Sequence, residues 1–164
     1  MQAVLTRSIN QLVNTRRPEL RQHPIDANDF CFRGGGLPDE HQAFYTPGRK
    51  YRVPGFLATS MREYVATGFA DTASLYRTRL SVVYYVHLDP RGRDDALFRC
   101  RHVNLLNKPP PNPEVEFLFA PYSVFTVTKV EWAAMAPHEA HKIHLEAALD
   151  NLDEYEDLPL APWY

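Results

Sequence analysis

Three short motifs hold the side chains of this chain whose types and spacing suit chemistry. Arg33 lies in Phe32-Arg33-Gly34-Gly35, with Gly36 following. Thr59 and Ser60 end Phe56-Leu57-Ala58-Thr59-Ser60. Glu114 and Glu116 flank Val115 and run into Phe117-Leu118-Phe119-Ala120-Pro121-Tyr122. A guanidinium meets phosphate oxygens through paired, charge-assisted hydrogen bonds. Glycines beside it let a ligand approach the backbone closely. The two hydroxyls suit capping a helix, holding a carboxylate, or both. Glutamates two apart on a strand share a face. One can stabilise positive charge growing on a sugar carbon, as in glycosidases, while the other takes a proton from a nucleophile. Taken singly, each motif also has an ordinary reading: a surface arginine before a turn, a helix cap, two solvated glutamates on an edge strand.

The elements that must position these residues follow from periodicity. Val4, Leu5, Ile9, Leu12 and Val13 are near helical spacing, which predicts a helix over 3–16 that ends before Pro18. Residues 15–23 read as a connection, and 30–33 as a short strand stopped by the three glycines. Residues 37–50 read as a loop and Val53–Ser60 as a second strand. Thr59 or Ser60 then caps a helix over about 61–72, with Glu63 at the capping-box position and Tyr64, Val65, Phe69 and Ala73 on its apolar face. Residues 81–88 and 124–132, rich in β-branched and aromatic side chains, are the clearest strands. Asp89-Pro90-Arg91-Gly92 ends the first of these. Weaker strands are expected over 97–103, 114–120 and 142–148, with turns at 108–113 and 121–123, and residues 150–164 are expected to wrap back over the body. A few helices followed by many strands predict an α+β fold with a mainly antiparallel, two-sheet core and flanking helices.

A chain of 164 residues with 45% hydrophobic and 12% aromatic content suits one folded domain over 1–164. Eighteen basic against 20 acidic residues leave a net charge of −2, so no nucleic-acid partner is expected. The isolated Cys31 and Cys100 read as buried free thiols rather than a zinc pair. No signal peptide or membrane span is seen, so a cytoplasmic protein, or an effector exported by another route, and a monomer without membrane attachment are expected. His138, His141 and His144 step by three and share no strand face, so no metal is expected there.

In conjunction and order, Arg33, Thr59-Ser60 and Glu114-x-Glu116 resemble the Arg, Ser-Thr-Ser and Glu-x-Glu motifs of the mono-ADP-ribosyltransferases. The resemblance covers about 28–132. It includes Pro121-Tyr122-x-x-Phe125-x-Val127 and the segment after Ser60 with Ala66, Phe69 and Ala70. It implies an ADP-ribosyltransferase-like fold, NAD as co-substrate, no metal, and transfer of ADP-ribose to a target protein with release of nicotinamide. It implies that Arg33, with Gly34 and Gly35, binds NAD phosphate and that Thr59 and Ser60 support the pocket. By the same resemblance Glu116 is the essential glutamate, and Glu114 activates an arginine acceptor. The loop 107–113 falls where the family recognises its substrate. Phe69, Phe44 and Tyr45 are the aromatics considered for stacking on the ligand, and Tyr84 and Tyr85 for packing. Ala58 stands where the family has its first serine, and Arg33 where the poly-ADP-ribosylating class has a histidine. An NAD glycohydrolase on the same fold and a non-catalytic nucleotide- or partner-binding module are the alternatives.

Overall fold

The computed structural model describes residues 21, 23, 29–75, 79–105, 115–133 and 139–162. The helix expected over 3–16, the loop 107–113, Glu114 and His138 lie outside them. Among the described residues the strands are β1 (Phe30–Pro38), β2 (Lys50–Val53), β3 (Leu57–Ser60), β4 (Arg79–His87), β5 (Val103–Leu105), β6 (Glu116–Phe119), β7 (Ser123–Glu131) and β8 (His141–Ala147), and an α-helix, α1, covers Glu63–Ser74. The strands run in the order β2-β7-β8-β4-β1-β3-β6-β5. Every pairing is antiparallel except β4 with β8.

Hydrogen bonds make this one sheet, but β1 meets β3 only at Phe32 and Ser60. Five strands on one side and three on the other therefore fold face to face, giving the expected two-layered core. Phe119 of the smaller half meets Phe125 of the larger, with ring centroids 5.1 Å apart. Between the halves lie Cys31, Leu37, Tyr45, Tyr51, Leu57, Val82, Tyr84, Phe117, Ile143 and Leu145, all buried.

The three glycines do not stop β1. Gly34, Gly35 and Gly36 continue the ladder opposite Val83, Val82 and Ser81. Glycine weakens a strand by about 0.5–1 kcal/mol through backbone entropy, but the β-branched partners and the contact with α1 outweigh it. A Cβ at Gly34 would stand 1.6 Å from the Ala66 carbonyl oxygen, so only glycine lets α1 sit this close. The same closeness decides the helix face. Ala66, Ala70 and Ala73 are buried, whereas the expected core residues Tyr64 and Phe69 are exposed.

The strand expected over Val53–Ser60 is two strands, divided at Pro54-Gly55-Phe56. β2 joins β7 on the larger half and β3 joins β6 on the smaller. Residues 39–44 form a 3-10 helix rather than a loop, and 96–98 form another where a strand was expected. The segment after 150 does wrap back: Arg52 N donates to Pro159 O (2.9 Å) and Ala161 N to Arg52 O (2.8 Å), lining the open edge of β2. Both cysteines are buried, and neither is in a disulfide. Burial pushes the Cys100 thiol up to about 12, which keeps it protonated and unreactive. Among the described residues no helix is long and apolar enough to cross a membrane.

Candidate active site

Past the single Phe32–Ser60 pair, β1 and β3 separate. The gap is a cleft of about 280 Å³ lined by Phe32, Arg33, Gly34, Ala58, Thr59, Ser60, Val65, Ala66, Phe69 and Glu116. Its size is at the small end of the roughly 300–1,000 Å³ typical of ligand sites. Six of the residues singled out in the sequence meet there: Arg33, Gly34, Thr59, Ser60, Phe69 and Glu116. Gly35 is not in the lining, and Glu114 lies outside the described residues.

The strand register sets the carboxylate. Ser60 lies opposite both Phe32 and Glu116, so the three form a row across β1, β3 and β6 on one face. Directly opposed residues have Cβ atoms about 4.5–5.5 Å apart, so Ser60 and Glu116 are side by side at the cleft wall. Ser60 Oγ accepts from Arg62 N (2.9 Å). This is a local hydroxyl turn rather than a helix cap. The N-cap is Arg62, without a side-chain cap bond, and α1 starts at Glu63, later than expected. Glu63 forms no capping box; it accepts from the Tyr85 hydroxyl on the neighbouring strand.

Thr59 faces inward and its hydroxyl donates to Phe117 O (2.9 Å), cross-linking β3 to β6 beneath the cleft. Arg33 Nη1 donates to Ala58 O (2.9 Å) across the gap. The guanidinium thus sits between the separated strands, beside the position where the resemblance has its first serine. Gly34 serves α1 as much as the cleft, a role the sequence reading assigned to ligand approach alone.

β6 begins at Glu116, and Val115 just before it has φ 42°. A β-branched residue in the left-handed region is strained by about 1–3 kcal/mol. The buried Val115 is held there in part by its carbonyl, which accepts from Met61 N (3.1 Å). The strain adjoins the cleft carboxylate.

Of the three aromatics considered for stacking, only Phe69 lines the cleft, 59% exposed. Tyr45 is buried with Tyr51 and Tyr84, each 5.9 Å away between centroids, and Phe44 packs on Tyr51 with Arg49 over its ring. Tyr84 is core, as expected; burial raises its phenol pKa, and the Arg33 charge offsets this only in part. The sequence reading missed Phe32 as a lining residue and put Val65 in the core. The signals were positional: Phe32 shares a strand face with Gly34, and Val65 lies one helical turn before Phe69.

Away from the cleft, His144 bridges His87 (3.1 Å) and Glu131 (3.2 Å) and stacks on Tyr85, while His141 Nδ1 accepts from Ala133 N (2.8 Å). Among the described residues no group of three or more His, Cys, Asp or Glu is arranged to hold a metal ion.

No family model matches the chain, and no curated protein matches it. Solved structures do. The Vis toxin, an ADP-ribosyltransferase from Vibrio splendidus, superposes with a TM-score of 0.55 at 19% identity, over 73% of this chain and 48% of that one. The complex of Vis with agmatine gives 0.54 at 20% identity over the same shares. The type III effector XopAI from Xanthomonas axonopodis pv. citri gives 0.50 at 20% identity, over 80% of this chain and 44% of that one. The chain spans about half the length of these structures. The likeness is one of fold: this chain has the α+β fold of the ADP-ribosyltransferases.

Proposed function

We propose that this chain is an NAD-dependent mono-ADP-ribosyltransferase that transfers ADP-ribose to an arginine side chain of a target protein. The observation that carries the reading is the cleft itself: its lining includes a carboxylate, Glu116, paired with Ser60 across β3 and β6, and the Arg33 guanidinium, which bridges the gap to Ala58 O. An anionic dinucleotide needs a cation for its phosphates and a carboxylate for the sugar carbon that becomes cationic. This cleft offers both, with the exposed Phe69 ring as an apolar wall.

The step breaks the bond between the nicotinamide nitrogen and the ribose carbon. The electron pair leaves with nicotinamide, which departs neutral. Glu116 stabilises the positive charge growing on the ribose carbon, most effectively at the transition state. An arginine nitrogen then bonds to that carbon, and its proton passes to Glu114 and on to water. A guanidinium is a poor nucleophile until a carboxylate orients it and removes a proton, which is the reason for assigning Glu114 to the acceptor. Agmatine, the ligand of one Vis complex, carries a guanidinium group, which supports the acceptor class.

Incubation with NAD, with and without agmatine, tests the proposal. Free nicotinamide and an ADP-ribosylated guanidine are the expected products. Nicotinamide without any guanidine adduct makes the protein a glycohydrolase, and no nicotinamide at all refutes the enzyme. Glu114→Gln separates the two steps: it is expected to abolish transfer to agmatine while leaving most of the slower hydrolysis of NAD. An equal fall in both activities assigns Glu114 to the pocket instead.

A further inference from the structure

Far along the sheet from the cleft, residues 152–160 form a strap laid against β2. Arg52 holds it by backbone and side chain. Its amide and carbonyl bond Pro159 and Ala161 (2.9 and 2.8 Å). Its guanidinium donates to the carbonyls of Tyr122 (3.0 Å), Glu154 (3.2 Å) and Tyr155 (2.7 Å). Lys50 pairs with Glu154 at 2.6 Å. These contacts fix the strap almost entirely through main-chain atoms, so its side chains are free to point outward.

Those side chains are not what a simple edge cover requires. Leu152 and Tyr155 are 74% and 78% exposed, and Leu160 and Tyr122 are 51% and 54% exposed. Tyr122, Tyr155 and Leu160 surround one arginine, since its guanidinium binds two of their carbonyls and Leu160 is its bridge partner. Exposed apolar side chains gathered in the way of Tyr122, Tyr155 and Leu160 mark interaction surfaces, and tyrosine is among the residues that most often anchor them. Asp153, Glu156 and Asp157 lie between them, exposed, and residues 150–164 contain no Lys, Arg or His.

We propose that the strap, with Tyr122, is a docking surface for a polypeptide segment that presents lysines or arginines around an apolar anchor. Charge complementarity selects this occupant. The exposed carboxylates repel nucleic acid and anionic membranes and attract a basic segment, while the leucines and tyrosines supply the buried contact. The strap is already ordered by Arg52 and Lys50, so binding loses little conformational freedom. The strap lies at the β2 edge, four strands from β1, and none of its residues lines the cleft, so the inference stands apart from the proposed reaction.

Fluorescence anisotropy with a labelled amphipathic peptide of Leu and Lys, and with its Leu and Glu counterpart, tests the proposal on the full chain. The basic peptide is expected to bind and the acidic one not, with affinity falling as salt rises. Tyr155→Ser and Leu152→Ser are each expected to weaken binding about tenfold, and the double change Asp153→Lys with Asp157→Lys to remove the salt dependence. These side chains point outward, and thermal unfolding checks that each variant stays folded. Equal binding to wild type and all variants, equal binding of both peptides, or no binding overturns the proposal. So does concentration-dependent dimerisation in sedimentation that Tyr155→Ser abolishes, which gives the surface to a second copy of the chain.

Discussion

The two edges of β1 are built in opposite ways. Toward β4 all nine residues from Phe30 to Pro38 are paired, glycines included. Toward β3 the ladder is one pair, Phe32 with Ser60. The zipped edge gives a fixed frame and carries no candidate chemistry. The open edge exposes backbone, Arg33 and the row from Phe32 to Glu116. A site needs groups held firmly but not used up by one another. Here firmness comes from one side of a strand and accessibility from the other.

Breaking the seat of α1 tests this contrast most severely. Gly34→Ala places a methyl group 1.6 Å from the Ala66 carbonyl oxygen, so the helix must move. A loss of about 1–3 kcal/mol or more is expected in denaturant unfolding, together with lower cleft activity. At Gly35 a methyl group meets no atom within 4 Å, so Gly35→Ala is expected to change stability by less than about 1 kcal/mol. Equal losses at the two positions would mean that β1 does not distinguish its neighbours in this way.

A smaller effect is expected beneath the open edge. Thr59→Val removes the buried hydroxyl that donates to Phe117 O and ties β3 to β6. The expected cost is about 0.5–1.5 kcal/mol, with a larger fractional fall in activity than in stability, because Ser60 and Glu116 depend on that register. Unfolding and turnover measured on the same preparation would show whether the two separate.

At pH 7 the smallest effect belongs to the zipped edge, which shows itself only in acid. His87, paired with Phe30, has its pKa lowered from 6.5 to about 4, by burial first and by neighbouring His144 second. The folded protein therefore keeps His87 neutral, while the unfolded chain takes up a proton below pH 6.5. Stability is lost as pH falls from 6.5 toward 4 and regained as it rises. His87→Phe is expected to flatten that slope in thermal unfolding between pH 7 and 5, leaving the midpoint at pH 7 nearly unchanged. An unaltered slope would assign the acid sensitivity elsewhere.

The long β4 and β7 were legible because β-branched and aromatic runs state the same preference locally and globally. The cleft residues were legible because their chemistry is rare in combination, and six of them do converge. What the sequence concealed lies where tertiary contact overrides local preference. Three glycines forecast a strand end, yet β1 runs through them because Val82 and Val83 hold the ladder. Tyr64 and Phe69 carry far more apolar surface than alanine, yet the alanines are buried, because a helix this close to Gly34 admits nothing larger. Pro54-Gly55 divides one predicted strand between the two halves of the sheet, a choice that only the distant partners β6 and β7 decide.

In the proposed reaction the Glu116 charge drives cleavage of the nicotinamide–ribose bond. The direct test is nicotinamide release from NAD by wild type and Glu116→Gln, with NAD affinity measured beside it. The change keeps shape and hydrogen bonding but removes the charge, so the rate is expected to fall about 10²–10³-fold while affinity changes far less. A Glu116→Gln protein that keeps more than about half the wild-type rate would contradict the account.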